Sequence, residues 1–566
     1  MPKLHTLASR PQSFLETIKS ARILHDQDNN SQLSGSQFSR RKSPCNILNM
    51  LRSEIERCVR TCNHPVLSQG YIPSRLLFIG TEGGGENQVR LESREEVRAK
   101  AGAADLGGTE GPTRYAALSY CWGSPDDAKK QCKTELHSLR AWRDGGIPDR
   151  CLSPVVRDAV ALTRSLDVRY LWVDALCIIQ DDVDDWQRES PLMGPVYSNA
   201  HFTIMLLNSS TCQQGFLTRR SSGDEALLPS GQAASGGPND KLVADWLAAA
   251  WSRRGWTFQE EKLSTRHVYV GPSRMYFVCN SGVVAEDGPE RGRVKEKSVL
   301  HMLKKASESP ASERGIRSLM RFWEVNMVRQ FSNREFTRPQ DKLQAIASVA
   351  KCIGDHTGYD YAAGLWVPRM HIELAWCYEP AHARLQDLIQ ELRPDGPGFI
   401  APSWSWARFG TMRKLRFLFP AWKEQQRWKV EARLEAPVIE TIAGTNRYGQ
   451  VRKGSLRLQT KVLRLPPGYD MSSRKEPEKF LLDWSMNEEK SIFTAKLELV
   501  VIGSSSAGSD VAGKRLYGIV AYPATDTAST TASGMYYRVG IFDLHVHPGS
   551  LFQELESMET RNITII

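Results

Sequence analysis

The chain has 566 residues, 41% apolar and 24% charged, with 74 lysines and arginines against 64 aspartates and glutamates. The apolar share is that of globular proteins and excludes full-length disorder, and no run reaches the ~18 uninterrupted apolar residues of a membrane span. The net charge of +10 is thin and spread out. Its densest runs, RRKS from Arg40 and the turn around Arg413 and Lys414, are short, which argues against a dedicated nucleic-acid surface. The opening MPKLHTLASRPQSF has no apolar h-region and predicts no secretory signal. Eleven cysteines without the dense, regular spacing of a secreted scaffold predict reduced thiols in the cytoplasm.

Residues 1–45 are polar and read as linker. ILNMLRSEIERCV then has helical spacing, with Ile47, Leu51, Ile55 and Val59 at four-residue steps. At its end Cys58, Cys62 and His64 offer three metal ligands. A closed structural zinc site needs four and no second Cys/His pair follows nearby, so the cluster reads as a helix end with two semi-buried thiols and no metal is expected. RLLFIG (75–80) is a short strand, followed by a Gly- and Glu-rich inserted loop with room for a helix. YAALSYCWG (115–123) is an apolar strand ending in Gly123. Ser153 and Pro154 start a helix along Val155, Ala159, Leu162 and Leu166. YLWVDALCIIQ (170–180) reads as a strand covered on both faces. Pro191, Gly194 and Pro195 then predict a short or split helix between Trp186 and Tyr197. HFTIMLLN (201–208) is a third apolar strand, and the alternation is that of an α/β layer with a parallel sheet.

Residues 221–240 are low-complexity loop. RGWTFQEEKLSTR (254–266) reads as a helix with Ser252 as cap, followed by the strands HVYVG and RMYFVC. Residues 307–385 turn helical. SLRLQTKVLRL, KLELVVIGSS, RLYGIVAYPA and YYRVGIFDLH are strand runs of a β-rich module.

YAALSYCWG, LWVDALCIIQDD, MGPVYSNAHFTI and SRRGWTFQEEKLS, in this order over 115–261, resemble the blocks of the fungal heterokaryon incompatibility (HET) domain. FSNREFTRPQDKLQAIASVA, AGLW and APSWSWA resemble segments common in large proteins of that family. The resemblance implies a role in non-self recognition and regulated cell death, through contacts with an incompatibility partner or self-association. It also implies a TIR-like, flavodoxin-like α/β fold, and some TIR domains hydrolyse NAD with a glutamate in W-x-x-x-E. Here Trp256 and Glu260 have that spacing, with Ser252 four residues ahead of the tryptophan. A carboxylate one turn after a tryptophan shares its helix face and could stabilise an oxocarbenium-like transition state. On that reading Glu260 is catalytic and NAD the substrate. On the other, Trp256 is core and Glu260 pairs with Arg253 or Arg254.

Other candidates carry paired readings too. Asp174, inside an apolar strand, is a site residue at a strand's carboxyl end or a structural anchor held by backbone or Arg254. Asp181 and Asp182 lie nearer a ligand position, or in a solvated loop, and Trp122 of SYCWG is a further pocket candidate. Cys121 or Cys177 with His201 or His267 would make a nucleophile pair, although buried cysteine is more often a small hydrophobe. Ser119 lacks a G-x-S-x-G elbow, and no P-loop is present. Trp404 and Trp406 read as packing residues rather than a stacking platform. The expected organisation is a linker (1–45), a HET domain (46–290), a helical region (300–400) and a β-rich module (401–566). The rivals are a signalling module, an NAD-hydrolysing enzyme using Glu260, and a regulatory binding protein without catalysis.

Overall fold

Four apolar strands of the computed structural model, β3 (Tyr115–Ser119), β4 (Tyr170–Trp172), β5 (Phe202–Leu206) and β6 (Arg266–Val270), run parallel in the order β4-β3-β5-β6. Their burial follows from composition: Phe202, Ile204 and Leu206 enter one core and Met205 the other, as the two-residue period of a strand requires. The sheet is not wholly parallel. β1 (Arg75–Phe78) and β2 (Arg90–Ser93) add antiparallel to one edge, and β7 (Met275–Cys279), β8 (Gly282–Ala285) and β9 (Arg291–Gly292) to the other. The reason is local. Tight turns after β6 and β7 join neighbouring strands directly, and a hairpin can only return antiparallel.

The structure describes residues 44–68, 70–80, 88–104, 113–217, 238–288, 291–294, 298–308, 313–378, 384–394, 396, 398–410, 415–417, 428–442, 446–465, 479–485, 496–506, 514–524, 534–546 and 558–566. The expected linker up to Ser43, RRKS from Arg40, most of the 221–240 loop, and Arg413 and Lys414 lie outside these residues. Among the described residues no helix is long and apolar enough to cross a membrane.

Several elements follow the sequence reading closely. The helix Pro154–Ser165 starts on Ser153, whose hydroxyl accepts from the Val156 N–H at 3.4 Å. The segment with two prolines is split as expected, into Val183–Glu189, a 3₁₀ turn Ser190–Leu192 and Met193–Asn199. Others differ. In the helix Pro44–Thr61, Leu51, Ile55 and Cys58 are buried while Val59 is 42% exposed, so the apolar face closes on a three-residue step. β4 ends at Trp172, and Asp174 opens a short helix, Asp174–Cys177, rather than lying inside a strand. Its carboxylate accepts the Ala175 N–H at 2.7 Å, which favours a helix start over strand continuation. The 81–112 insert carries β2 as well as a helix, Arg94–Ala104.

The remaining chain shares one large core, from Phe258 and Leu263 through the helical stretch to Ile565. Glu498–Ser506, Lys514–Pro523 and Met535–Val546 form an antiparallel meander in a ten-stranded sheet, with Val451–Thr460 pairing the last strand, Arg561–Ile565. Trp404 and Trp406 are fully buried in this core. The Trp406 indole donates to Gly364 O at 2.7 Å, and the Trp376 indole donates to Trp404 O at 2.9 Å. Their role is packing.

Candidate functional site at the strand carboxyl ends

In open α/β sheets the place for a ligand is the carboxyl edge of the parallel strands, where chain order reverses. Here that edge carries polar chemistry. After Ser119, the last residue of β3, the chain runs through Tyr120, Cys121 and Trp122 to Gly123, whose φ of +92° is a glycine conformation. A Cβ there would lie 2.6 Å from Thr211 Oγ1. This turn sends the half-buried Trp122 indole back across the neighbouring strand end, where it donates to Asp174 Oδ2 at 2.9 Å. Gly123→Ala should therefore cost about 1–3 kcal/mol and quench or shift the Trp122 emission. Thermal unfolding and fluorescence check both effects.

Glu260 approaches from the other side, on the helix Thr257–Leu263 that precedes β6. It is buried, and its Oε2 accepts the Ser119 hydroxyl. Ser119 Oγ in turn accepts the Trp251 indole N–H at 2.8 Å. Tyr197 donates to Leu118 O at 3.1 Å and also faces Glu260, while Tyr120 donates to Gln131 Oε1 at 2.8 Å and faces Asp174. The half-buried Asp174 and Trp122 form the outer edge of this cluster, and the buried Glu260 and Ser119 its floor.

Burial dominates the electrostatics. It pushes the Glu260 carboxyl up to about 7; the Ser119 hydrogen bond and the Arg254 charge oppose the rise, and the neighbouring Asp174 charge adds to it. Burial likewise raises Asp174, against the Ala175 N–H, the Trp122 indole and Arg254. The Asp174 charge thus bears on the proton affinity of Glu260. The adjacent, half-buried Glu261 moves the opposite way: burial raises it too, but the charges of Lys262, Arg334 and His267 outweigh that and hold it low. Neighbouring glutamates on one helix are therefore sorted into a proton-holding group and a structural anion, the separation that acid–base sites exploit. Near neutral pH Glu260 can both give and take a proton.

Trp256 does not join the cluster. It occupies the N-cap position, where its indole donates to Asp341 Oδ2 at 3.3 Å and meets Trp186 edge-on at 6.4 Å, in the seam between the first sheet's core and the large one. Ser252 donates to Ala249 O at 2.9 Å and does not cap the helix. Asp181 is exposed and accepts the Leu136 N–H at 2.9 Å, at the start of the helix Leu136–Asp144. Arg253 pairs with Glu335 at 3.7 Å, while Arg254 acts on Asp174 and Glu260 through space.

The cysteine–histidine pairing is not formed. The Cys177 thiol, pushed up to about 12 by burial, accepts the Val173 N–H, and burial also raises Cys121. His267 Nε2 lies 3.2 Å from Glu261 O. Sequence reasoning passed over Ser119 as a partner of Glu260, and gave no role to Tyr197 or Trp251. These contacts join positions 79 to 141 residues apart, beyond the reach of any local spacing.

Residues 115–260 match the family model described as heterokaryon incompatibility protein (HET). Among curated proteins, heterokaryon incompatibility protein 6, OR allele, of Neurospora crassa is 32% identical over 100 residues, 17% of this chain and 14% of that protein. The chain thus aligns with about a seventh of that relative's length. No solved structure gives a significant match. The matched segment takes in three of the four parallel strands, β3, β4 and β5, and ends at Glu260, so it is this part of the chain that is similar to the HET family.

Proposed function

We propose that the chain acts in fungal non-self recognition, triggering regulated cell death through its HET segment as a TIR-like signalling domain in the cytoplasm. The observation that supports this best is the strand order. Counted from β3, the parallel strands run 2-1-3-4, the beginning of the flavodoxin-like order, and the Glu260–Asp174–Trp122 cluster sits at their carboxyl ends. The name of the Neurospora relative ties that protein to incompatibility, and the reading extends the role to this chain. Its partners are then other proteins, an incompatibility partner or a second copy. Residues 46–290 form the signalling domain, with the helical region (300–400) and the β-rich module (401–566) as its regulatory extension. Induced expression of the full chain in a fungal host should arrest growth. Asp174→Asn, which weakens the Trp122 contact, should relieve the arrest at equal protein level. Undiminished arrest by that variant would remove the cluster from the mechanism.

The raised Glu260 carboxyl beside Asp174 favours a second reading, an NAD-cleaving activity with Glu260 as the catalytic carboxyl. In it Trp122, not Trp256, is the indole in contact with a carboxylate of the cluster. Nicotinamide release from NAD by the purified chain should fall about a hundredfold or more in Glu260→Ala. Equal release from both proteins, or none from either, eliminates this reading.

A further inference from the structure

The last turn of the helix Pro44–Thr61 carries Cys58, and Cys62 follows four residues on, its N–H still bonded to Cys58 O at 3.0 Å. That spacing puts both sulfurs on one face. Asn63 then adopts a φ of +34°, a conformation asparagine tolerates. The reversal folds His64 back, so that its Nε2 lies 3.1 Å from Cys58 Sγ. A fourth group arrives from the sheet itself, within the core that also holds Cys58. Cys279 ends β7 at the mouth of the β7–β8 hairpin, paired with Gly282 across the turn. The ligand atoms of Cys58, Cys62, His64 and Cys279 all lie within 4.8 Å of one another.

We propose that Cys58, Cys62, His64 and Cys279 form a closed structural zinc site that fastens the N-terminal helix to the β7–β8 hairpin. The geometry suits the ion. With Zn–S near 2.3 Å and Zn–N near 2.0 Å, a tetrahedral sphere sets its ligand atoms roughly 3.5–3.8 Å apart, a spacing that falls between the 3.1 Å of the His64–Cys58 pair and the 4.8 Å that bounds the whole cluster. Three thiols and an imidazole are a soft donor set that selects zinc over magnesium or calcium. Cys58 and Cys279 are buried, while Cys62 and His64 are half-buried, leaving a route for the ion to enter.

Binding expels three thiol protons, and the Zn(Cys)₃His unit then carries one net negative charge. Its surroundings answer that charge. Arg57 Nη1 points at Cys62 Sγ from 3.8 Å, and Ser281 Oγ sits 3.3 Å from Cys62 Sγ and 2.9 Å from Cys279 Sγ, where its hydroxyl can donate to a thiolate. Such outer groups are what hold the ligands of a metal site in place. Both halves of the clasp lie outside residues 115–260, so the folded unit around the HET segment extends beyond the family match on either side.

The test is metal analysis of the full chain, expressed in zinc-containing medium and purified under reducing conditions without chelators. About one zinc per chain is expected, retained in Cys151→Ser and reduced at least tenfold in Cys58→Ser and Cys279→Ser. Should those variants fail to fold, the wild-type chain decides alone. Exchange with Co²⁺ should give the visible absorption of tetrahedral thiolate coordination, and a thiol-blocking mercurial should release the metal to a chromogenic chelator. Wild-type chain that neither holds zinc nor takes up Zn²⁺ or Co²⁺ would overturn the proposal. So would zinc undiminished in folded Cys279→Ser, or intact mass showing Cys58 and Cys279 joined as a disulfide.

Discussion

Replacing Asp483 by asparagine is expected to destabilise the large core by about 3–5 kcal/mol. Asp483 is fully buried between two equally buried guanidiniums, accepting from Arg408 Nη2 and, at 3.0 Å, from Arg538 Nη1. The arginines reach it from separate elements, the turn after Trp406 and the strand Met535–Val546. Both are anchored further: Arg408 Nη1 donates to Ser403 O at 2.7 Å, and Arg538 donates to Trp376 O with its guanidinium 3.4 Å over the Trp376 ring. Asp483→Asn removes the one negative charge between two desolvated cations. Burial already lowers Arg538 to about 9, with the Asp483 charge opposing that fall, so the variant forces more of this strain onto Arg538. Urea unfolding followed by tryptophan fluorescence should show the loss, since Trp376, Trp404 and Trp406 share this core. Replacing the whole triad, Arg408→Met with Asp483→Leu and Arg538→Met, should recover part of it, because no charge is then stranded. A change below about 1 kcal/mol for Asp483→Asn would place the triad among weakly contributing ion pairs.

The second large effect runs the other way. Glu260→Gln should raise stability at pH 8 by about 3 kcal/mol while changing little at pH 4.5. The sign follows from proton linkage. A glutamate titrating at 4.5 when unfolded and at about 7 when folded makes the native state bind more protons between those values. Stability contributed by the protonated carboxyl is complete below pH 4.5 and lost as pH rises through 7. About 2.5 units at 1.36 kcal/mol each give the magnitude. Asp174 is raised as well, so its contribution has the same sign. Glutamine keeps the shape, can donate or accept at Ser119, and carries no charge to desolvate. Thermal melts from pH 4.5 to 8 should show the wild type losing stability relative to Glu260→Gln across this window. Parallel curves would mean that Glu260 ionises in the fold as freely as in water. A site that stabilises the chain when neutralised is one kept for function at a cost in stability.

How far the sequence speaks depends on whether the signal is local. Apolar runs marked β3, β5 and β6, the Ser153–Pro154 pair marked a helix start, and Pro191 with Pro195 marked a broken one, because capping and proline geometry act within a turn. Asp174 was legible as an oddity but was read inside a strand, since an apolar run does not say where pairing stops. Its own side chain does, by accepting the Ala175 N–H. Glu260 was found through its spacing from Trp256, yet that tryptophan packs on Trp186 and Asp341. The partners that set the Glu260 proton affinity, Ser119 and Asp174, are brought in by the sheet. The same holds for Cys279, which completes the cluster begun by Cys58, Cys62 and His64 and left no trace in their spacing.

Glu260→Gln also provides the most direct test of the claim that the strand-end cluster is where this protein acts. Because the variant should be at least as stable as wild type near neutral pH, any loss of effect cannot be laid to unfolding. Both proteins, expressed to equal level in a fungal host, should differ sharply: growth arrest with the wild-type chain and sustained growth with Glu260→Gln. Equal arrest by the two would contradict the account and leave Glu260 a buried residue without a part in signalling.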